Sequence, residues 1–142
     1  MEEKKIPKPI GNFLNVRFSG KYAYISGQGP LDDNGNLIKG KVGKDLNLDQ
    51  AYDAAKKVGQ TLINIINNEI GSKKFNKIVK ILGFVNCTEN FIDQPKVING
   101  CSDLLIEYFG EKGKHARSAV GVYVLPNNIP VEIEAIIEII PN

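Results

Sequence analysis

The segment Val131-Glu132-Ile133-Glu134-Ala135-Ile136-Ile137-Glu138-Ile139 is apolar at every odd position, while Glu132, Glu134 and Glu138 share the other parity. Side chains of a strand point alternately to its two faces, so this pattern predicts a β-strand with one face on a core. Its other face meets water, a ligand or a partner.

Other elements follow from similar patterns. Tyr22-Ala23-Tyr24-Ile25-Ser26 is aromatic and β-branched enough for a strand, with Asn15–Phe18 its partner across the Ser19-Gly20-Lys21 turn. Residues 27–44 are rich in Gly, Asp and Asn and read as a long loop. A helix is predicted from Asn47, an N-cap with Gln50 three residues on, through Leu48, Ala51, Ala55, Val58, Leu62 and Ile65 to a stop at Gly71. Ile78–Val85 reads as a largely buried strand. Pro95 fits the first turn of a second helix carrying Val97, Ile98, Cys101, Leu104, Leu105 and Tyr108, ended by Gly110. Ser118–Val124 is a further strand, joined by residues 125–130 to the last one. The order β-β-α-β-α-β-β predicts an α+β sandwich, a mixed sheet with both helices packed on one face. Its other face needs a cover, which self-association would supply.

At 142 residues the chain suits one domain, 1–142, with residues 1–12 a polar N-terminal arm. Met1 to Pro7 lacks the apolar core of a signal peptide, and no apolar run reaches the ~18 residues of a membrane span, so a cytoplasmic location is expected. Cys87 and Cys101 lie apart, with a single histidine and no CxxC, so both read as reduced and buried and no metal site is expected. The net charge is only +2 and the basic residues are dispersed, the opposite of the basic stripe that nucleic-acid binding uses.

The charge is carried by 16 lysines and only two arginines, Arg17 and Arg117. Arg117 precedes an apolar, glycine-containing strand, where its planar guanidinium could clamp a carboxylate through two parallel hydrogen bonds. The alternative is an arginine paired with a glutamate of the last strand or of another subunit. Glu132 follows a Pro-Val step beside a turn and could position or deprotonate water, although a solvated strand face accounts for a single glutamate equally well. His115, alone in a lysine-rich loop, reads as exposed. Ser26 ends a strand before Gly27, where its hydroxyl and nearby main-chain N–H groups could meet a ligand.

Ser26-Gly27-Gln28, Ala116-Arg117-Ser118-Ala119-Val120, Leu125-Pro126 and Val131-Glu132-Ile133-Glu134-Ala135 together resemble the signatures of the RidA/YjgF family, in matching order, from about residue 10 to residue 139. Leu82–Asn86, Asp93–Gly100 and His115–Gly121 resemble a distinct branch of it. The resemblance implies a chorismate-mutase-like fold and a homotrimer whose sheets form an inner barrel, with ligand sites between subunits. It also implies hydrolysis of 2-imino or 2-enamino acids to 2-keto acids and ammonia, without a cofactor. By motif, Arg117 would bind the substrate carboxylate, the N–H groups of Gly27 and Ala119 would support it, and Glu132 would hold the attacking water. Ser26, Phe13 and Asn99 would line the cleft. Phe13 stands where the family's pattern has tyrosine, and Ala119 where it often has cysteine, so a phenol hydroxyl and a thiol are both missing.

Two other functions compete with the hydrolase: a non-catalytic trimer that binds small carboxylates and regulates a partner, and an endoribonuclease. The presence of both Arg117 and Glu132 favours the hydrolase over the binding module, since a mere acid-binding site has less need of the glutamate. The weak net charge, few aromatics and lack of a paired histidine base argue against the ribonuclease. One geometric tension remains. A simple hairpin of residues 118–124 with 131–139 would leave Arg117 roughly 20 Å from Glu132 at ~3.3 Å per residue. Either the strand pairing is offset or the two groups meet across a subunit boundary.

Overall fold

The alternating segment forms β5 (Val131–Ile139), the central strand of a five-stranded sheet in the computed structural model, which describes residues 6–140. Residues 1–5 of the expected arm lie outside the described part. Val131, Ile133, Ala135, Ile137 and Ile139 are all buried, as the parity of the sequence requires. Burying a side chain of this size stabilises the fold by about 1.5–3 kcal/mol, so this one strand contributes much of the drive to fold.

The strands β1 (Val16–Ser19) and β2 (Tyr22–Gln28) form the expected hairpin, and β2 pairs antiparallel with β5. On its other side β5 pairs antiparallel with β3 (Phe75–Asn86), which extends beyond the expected Ile78–Val85 at both ends. The edge strand β4 (Ala116–Val122) runs parallel to β3, giving the order β1-β2-β5-β3-β4. The hairpin considered above does not form, because β3 lies between β4 and β5.

Helix α1 (Leu48–Ile65) begins with a complete capping box: Asn47 Oδ1 accepts from the Gln50 N–H at 2.9 Å, and Gln50 Oε1 accepts from the Asn47 N–H at 2.9 Å. Losing such a cap costs about 1 kcal/mol. The last turn, Ile66–Ile70, widens to a π-helix whose closing bond runs from the Gly71 N–H to the Ile66 carbonyl at 2.8 Å. Gly71, at φ 92°, ends it.

Helix α2 (Gln94–Phe109) starts with Pro95 in its first turn and stops at Gly110. Both helices lie on the same face of the sheet, and they cross closely. A Cβ on Gly100 would overlap the Tyr52 carbonyl of α1, and one on Gly83 of β3 would meet the Ile98 side chain of α2 at 2.6 Å. The opposite sheet face carries Tyr24 and Val120, 44% and 42% exposed, with Leu82, Phe84 and Ile136 half-buried between them. The connection into β5 is held by buried Asn86, whose Nδ2 donates to Asn128 Oδ1 at 2.9 Å and to the Ile129 carbonyl at 3.0 Å. This network sets where Glu132 leaves the loop.

Candidate functional site

The seven residues singled out from the sequence fall into two groups, one around Glu132 and one around Arg117.

The first group arises from a β-bulge. Between the pairs Ile25↔Ala135 and Gln28↔Ile133, β2 advances one residue more than β5, and the surplus falls at Ser26-Gly27. The bulge brings the Gly27 backbone under the Glu132 side chain, so that a Cβ on Gly27 would stand 2.6 Å from Glu132 Oε2. Glycine is needed here for close approach. The Ser26 hydroxyl donates to the Leu14 carbonyl at 2.6 Å and its N–H to the Asn15 carbonyl at 2.9 Å, so Ser26 ties down the segment that carries Phe13. Phe13, Asn15, Gly27 and Gln28 line an open cleft of about 270 Å³ together with the apolar side chains of Leu31 and Leu37. Partial burial pushes the Glu132 carboxyl above the usual carboxylate range, with a smaller contribution from the Glu134 charge. A carboxyl of this kind holds a proton more readily than a solvated one.

The second group is built where β4 meets α2. Arg117 pairs with Ile81 of β3, a fully buried residue, so its side chain emerges on the helix-covered face. Its Nη1 donates to Ser102 Oγ at 3.0 Å and its Nη2 to the Pro95 carbonyl at 3.1 Å. Among the described residues no carboxylate pairs with Arg117, so the ion pair with a last-strand glutamate does not form within the chain. Asn99 sits on the same face of α2 as Pro95 and Ser102, four residues after one and three before the other. Ala119, two residues after Arg117 on the same face of β4, packs partly against the core.

His115 is not the exposed side chain that the sequence suggested. Its Nδ1 lies 2.6 Å from the Gly113 carbonyl and its Nε2 2.9 Å from Ser102 Oγ. Burial pulls its pKa below the ordinary histidine value; the Gly113 bond acts against this, and the Arg117 charge adds to it. Ser102 escaped notice altogether. The available signal was the two-residue spacing of His115 and Arg117, which puts both on one face of an extended segment, facing whatever packs there.

Within one chain the two groups stay apart. Glu132 pairs with Phe84, three residues along β3 from the Arg117 partner Ile81, and those two β3 positions point to opposite faces. With two strand spacings between them, the Cα atoms of Arg117 and Glu132 are roughly 14 Å apart, and their side chains diverge from there. No group of three or more His, Cys, Asp or Glu side chains among the described residues could hold a metal ion, and none of the described helices is long and apolar enough to cross a membrane. Cys87 and Cys101 are both buried free thiols, and burial pushes the Cys101 thiol up to about 12.

A five-stranded mixed sheet with two helices on one face makes this an α+β protein, with the Arg117 guanidinium anchored on α2 and the Glu132 carboxyl seated over the Gly27 bulge. Residues 1–138 match the family described as "YjgF/chorismate_mutase-like, putative endoribonuclease". Protein TCP17 of Trypanosoma cruzi is 35% identical over 92% of this chain and 83% of its own length. A 2-iminobutanoate/2-iminopropanoate deaminase of Dermatophagoides farinae is 31% identical over 94% of this chain and 90% of its own. Among solved structures, a protein of unknown function from Agrobacterium tumefaciens superposes with a TM-score of 0.88 at 37% identity, covering 94% of this chain and 86% of that one. The chain belongs to the RidA/YjgF family.

Proposed function

We propose that this protein hydrolyses 2-imino and 2-enamino acids to 2-keto acids and ammonia, at sites completed between the subunits of a homotrimer. The observation that carries this reading is the helix-anchored Arg117, held at two nitrogens by neutral acceptors and paired with no carboxylate among the described residues. A guanidinium has five N–H donors, so those left over can take a substrate carboxylate. As part of an edge strand, β4 also turns alternate main-chain N–H groups away from β3, and the Ala119 N–H is assigned to the same carboxylate.

Glu132 supplies the chemistry. Its carboxylate accepts a proton from a water molecule as the oxygen adds to the imine carbon, and the C=N π pair moves to nitrogen. The proton then passes to that nitrogen to give a neutral carbinolamine; Glu132 takes the hydroxyl proton and delivers it to the amine, and the C–N bond breaks as C=O forms, releasing ammonia. Phe13, Ser26, Gly27 and Asn99 shape the pocket around the acid. Arg117 and Glu132 lie on opposite sheet faces of one chain, so a small acid can touch both only if a neighbouring subunit provides one of them. The apolar sheet face bearing Tyr24, Leu82, Phe84 and Val120 is the surface by which such neighbours would associate. The deaminase named among the relatives supports this activity; the ribonuclease reading has little support in a net charge of +2 and a single histidine with both ring nitrogens engaged.

The test is a coupled assay with freshly generated imino acids of several sizes, run with the wild type and with Arg117→Ala. Accelerated loss of the imine by the wild type, abolished in the variant, is expected. Keto-acid binding without any acceleration would instead establish a carboxylate-binding module.

A further inference from the structure

Arg117, Ser102, His115 and Gly113 form a directional chain of hydrogen bonds. The Gly113 carbonyl can only accept, so His115 Nδ1 must carry the proton that spans their 2.6 Å contact. In the neutral ring Nε2 is then an acceptor, and the 2.9 Å contact with Ser102 must be donated by the serine hydroxyl. With its own hydrogen committed to His115, Ser102 Oγ turns its lone pairs toward Arg117 and accepts from Nη1 at 3.0 Å. Ser102 is only 7% exposed and already engaged on both sides, which leaves it no freedom to act as a nucleophile.

We propose that Ser102 and His115 are positioning residues, a relay that holds the Arg117 guanidinium in the orientation needed for the substrate carboxylate while His115 is neutral. This rests on Arg117 being the carboxylate anchor, as proposed above. Protonating His115 places a hydrogen on Nε2 that faces Ser102 Oγ. The hydroxyl would then accept from both cations and lose the acceptor for its own hydrogen, and the imidazolium would repel the guanidinium. The affinity for a keto acid therefore falls with pH once His115 gains its proton.

Other charged and titratable groups surround the ring. Arg117 faces it from β4; Cys101, beside Ser102 on α2, keeps its thiol proton, since burial pushes its pKa up to about 12. Lys114 and Glu111, on the preceding turn, are paired at 3.0 Å. Glu132 also titrates toward acid, on the other sheet face, and its contribution cancels when variants that share it are compared. Burial lowers the pKa of His115, so the fall in affinity should lie below the ordinary histidine range, with full binding at pH 7.

A stable 2-keto acid is titrated calorimetrically, from pH 5 to 8, into the wild type, Ser102→Ala, Ser102→Thr and His115→Gln. Glutamine can accept from Ser102 but cannot titrate, so His115→Gln should lose the acid-side fall. Ser102→Ala should bind about tenfold more weakly at pH 7, the value of one lost hydrogen bond to a charged group, with Ser102→Thr restoring most of it. A bare charge effect would strengthen anion binding as His115 protonates, so wild-type affinity that rises toward acid relative to His115→Gln overturns the relay. So does a His115→Gln profile that coincides with the wild type. Nitrogen NMR of the sole histidine provides a readout independent of binding: an Nε2–H tautomer at pH 7 also overturns it. If the wild type binds no keto acid at any pH, the assignment of Arg117 as carboxylate anchor fails, and the relay's role with it.

Discussion

Gly27 and Glu132 are in contact through an absence: the carboxylate occupies the space a side chain on Gly27 would fill, with Oε2 2.6 Å from the missing Cβ. Gly27→Ala should therefore displace the carboxylate by about an ångström without unfolding the sheet. Misplacement on that scale costs on the order of 10²-fold in rate. The expected outcome is a matching fall in kcat for imine hydrolysis with a melting temperature within a few degrees of the wild type.

Arg117 and Glu132 should separate binding from chemistry. Arg117→Lys replaces a planar fork with a point charge and should weaken keto-acid binding about tenfold or more. Glu132→Gln should bind the same acid nearly as well and lose ~10²-fold in rate. Calorimetry and the coupled assay, run side by side, check both.

The subunit arrangement has its own test. Light scattering should give a trimer mass, and Arg117→Ala and Glu132→Gln, each inactive alone, should regain activity when co-assembled. If each site takes one group from each of two neighbours, random mixing restores about a quarter of the sites. No recovery in verified mixed trimers would place both groups of a site in the same chain.

Glu132 also makes a stability prediction. Its folded-state pKa is raised by burial, so between its unfolded and folded values the folded chain binds more protons than the unfolded one. Stability from this group is therefore lost as pH rises through that window, and at pH 7 the ionised carboxylate opposes folding. Glu132→Gln should melt higher than the wild type at pH 7. Below the ordinary carboxylate range both states are protonated, and the advantage should disappear, as thermal melts between pH 3.5 and 7 will show.

Gly100→Ala tests the helix crossing. The added methyl would overlap the Tyr52 carbonyl, a backbone atom that cannot step aside unless α1 shifts. Overpacking of this kind costs typically 1–3 kcal/mol, and urea denaturation should report a loss at the upper end of that range.

Much of this molecule could be read directly from its residues. The parity of β5, the Asn47–Gln50 capping box and the Pro95 and Gly110 ends of α2 are local patterns, set by strand pleat, helix periodicity and the unsatisfied groups of helix termini. They determined the element order and the face each residue takes, and the motifs around Gly27, Arg117 and Glu132 led to the family. Strand neighbours are a different matter. That β3 separates β4 from β5 depends on how the crossover through α2 packs, which no local spacing encodes. The same holds for the bulge that seats Glu132 over Gly27, a mismatch between two strands that neither strand shows alone. Ser102 carries no signal in the sequence, and His115 reads there as a solvated loop side chain. Only the docking of α2 against β4 gave each of them the other as a partner, because a buried hydroxyl and a buried ring must satisfy their hydrogen bonds with whatever tertiary contact brings within reach.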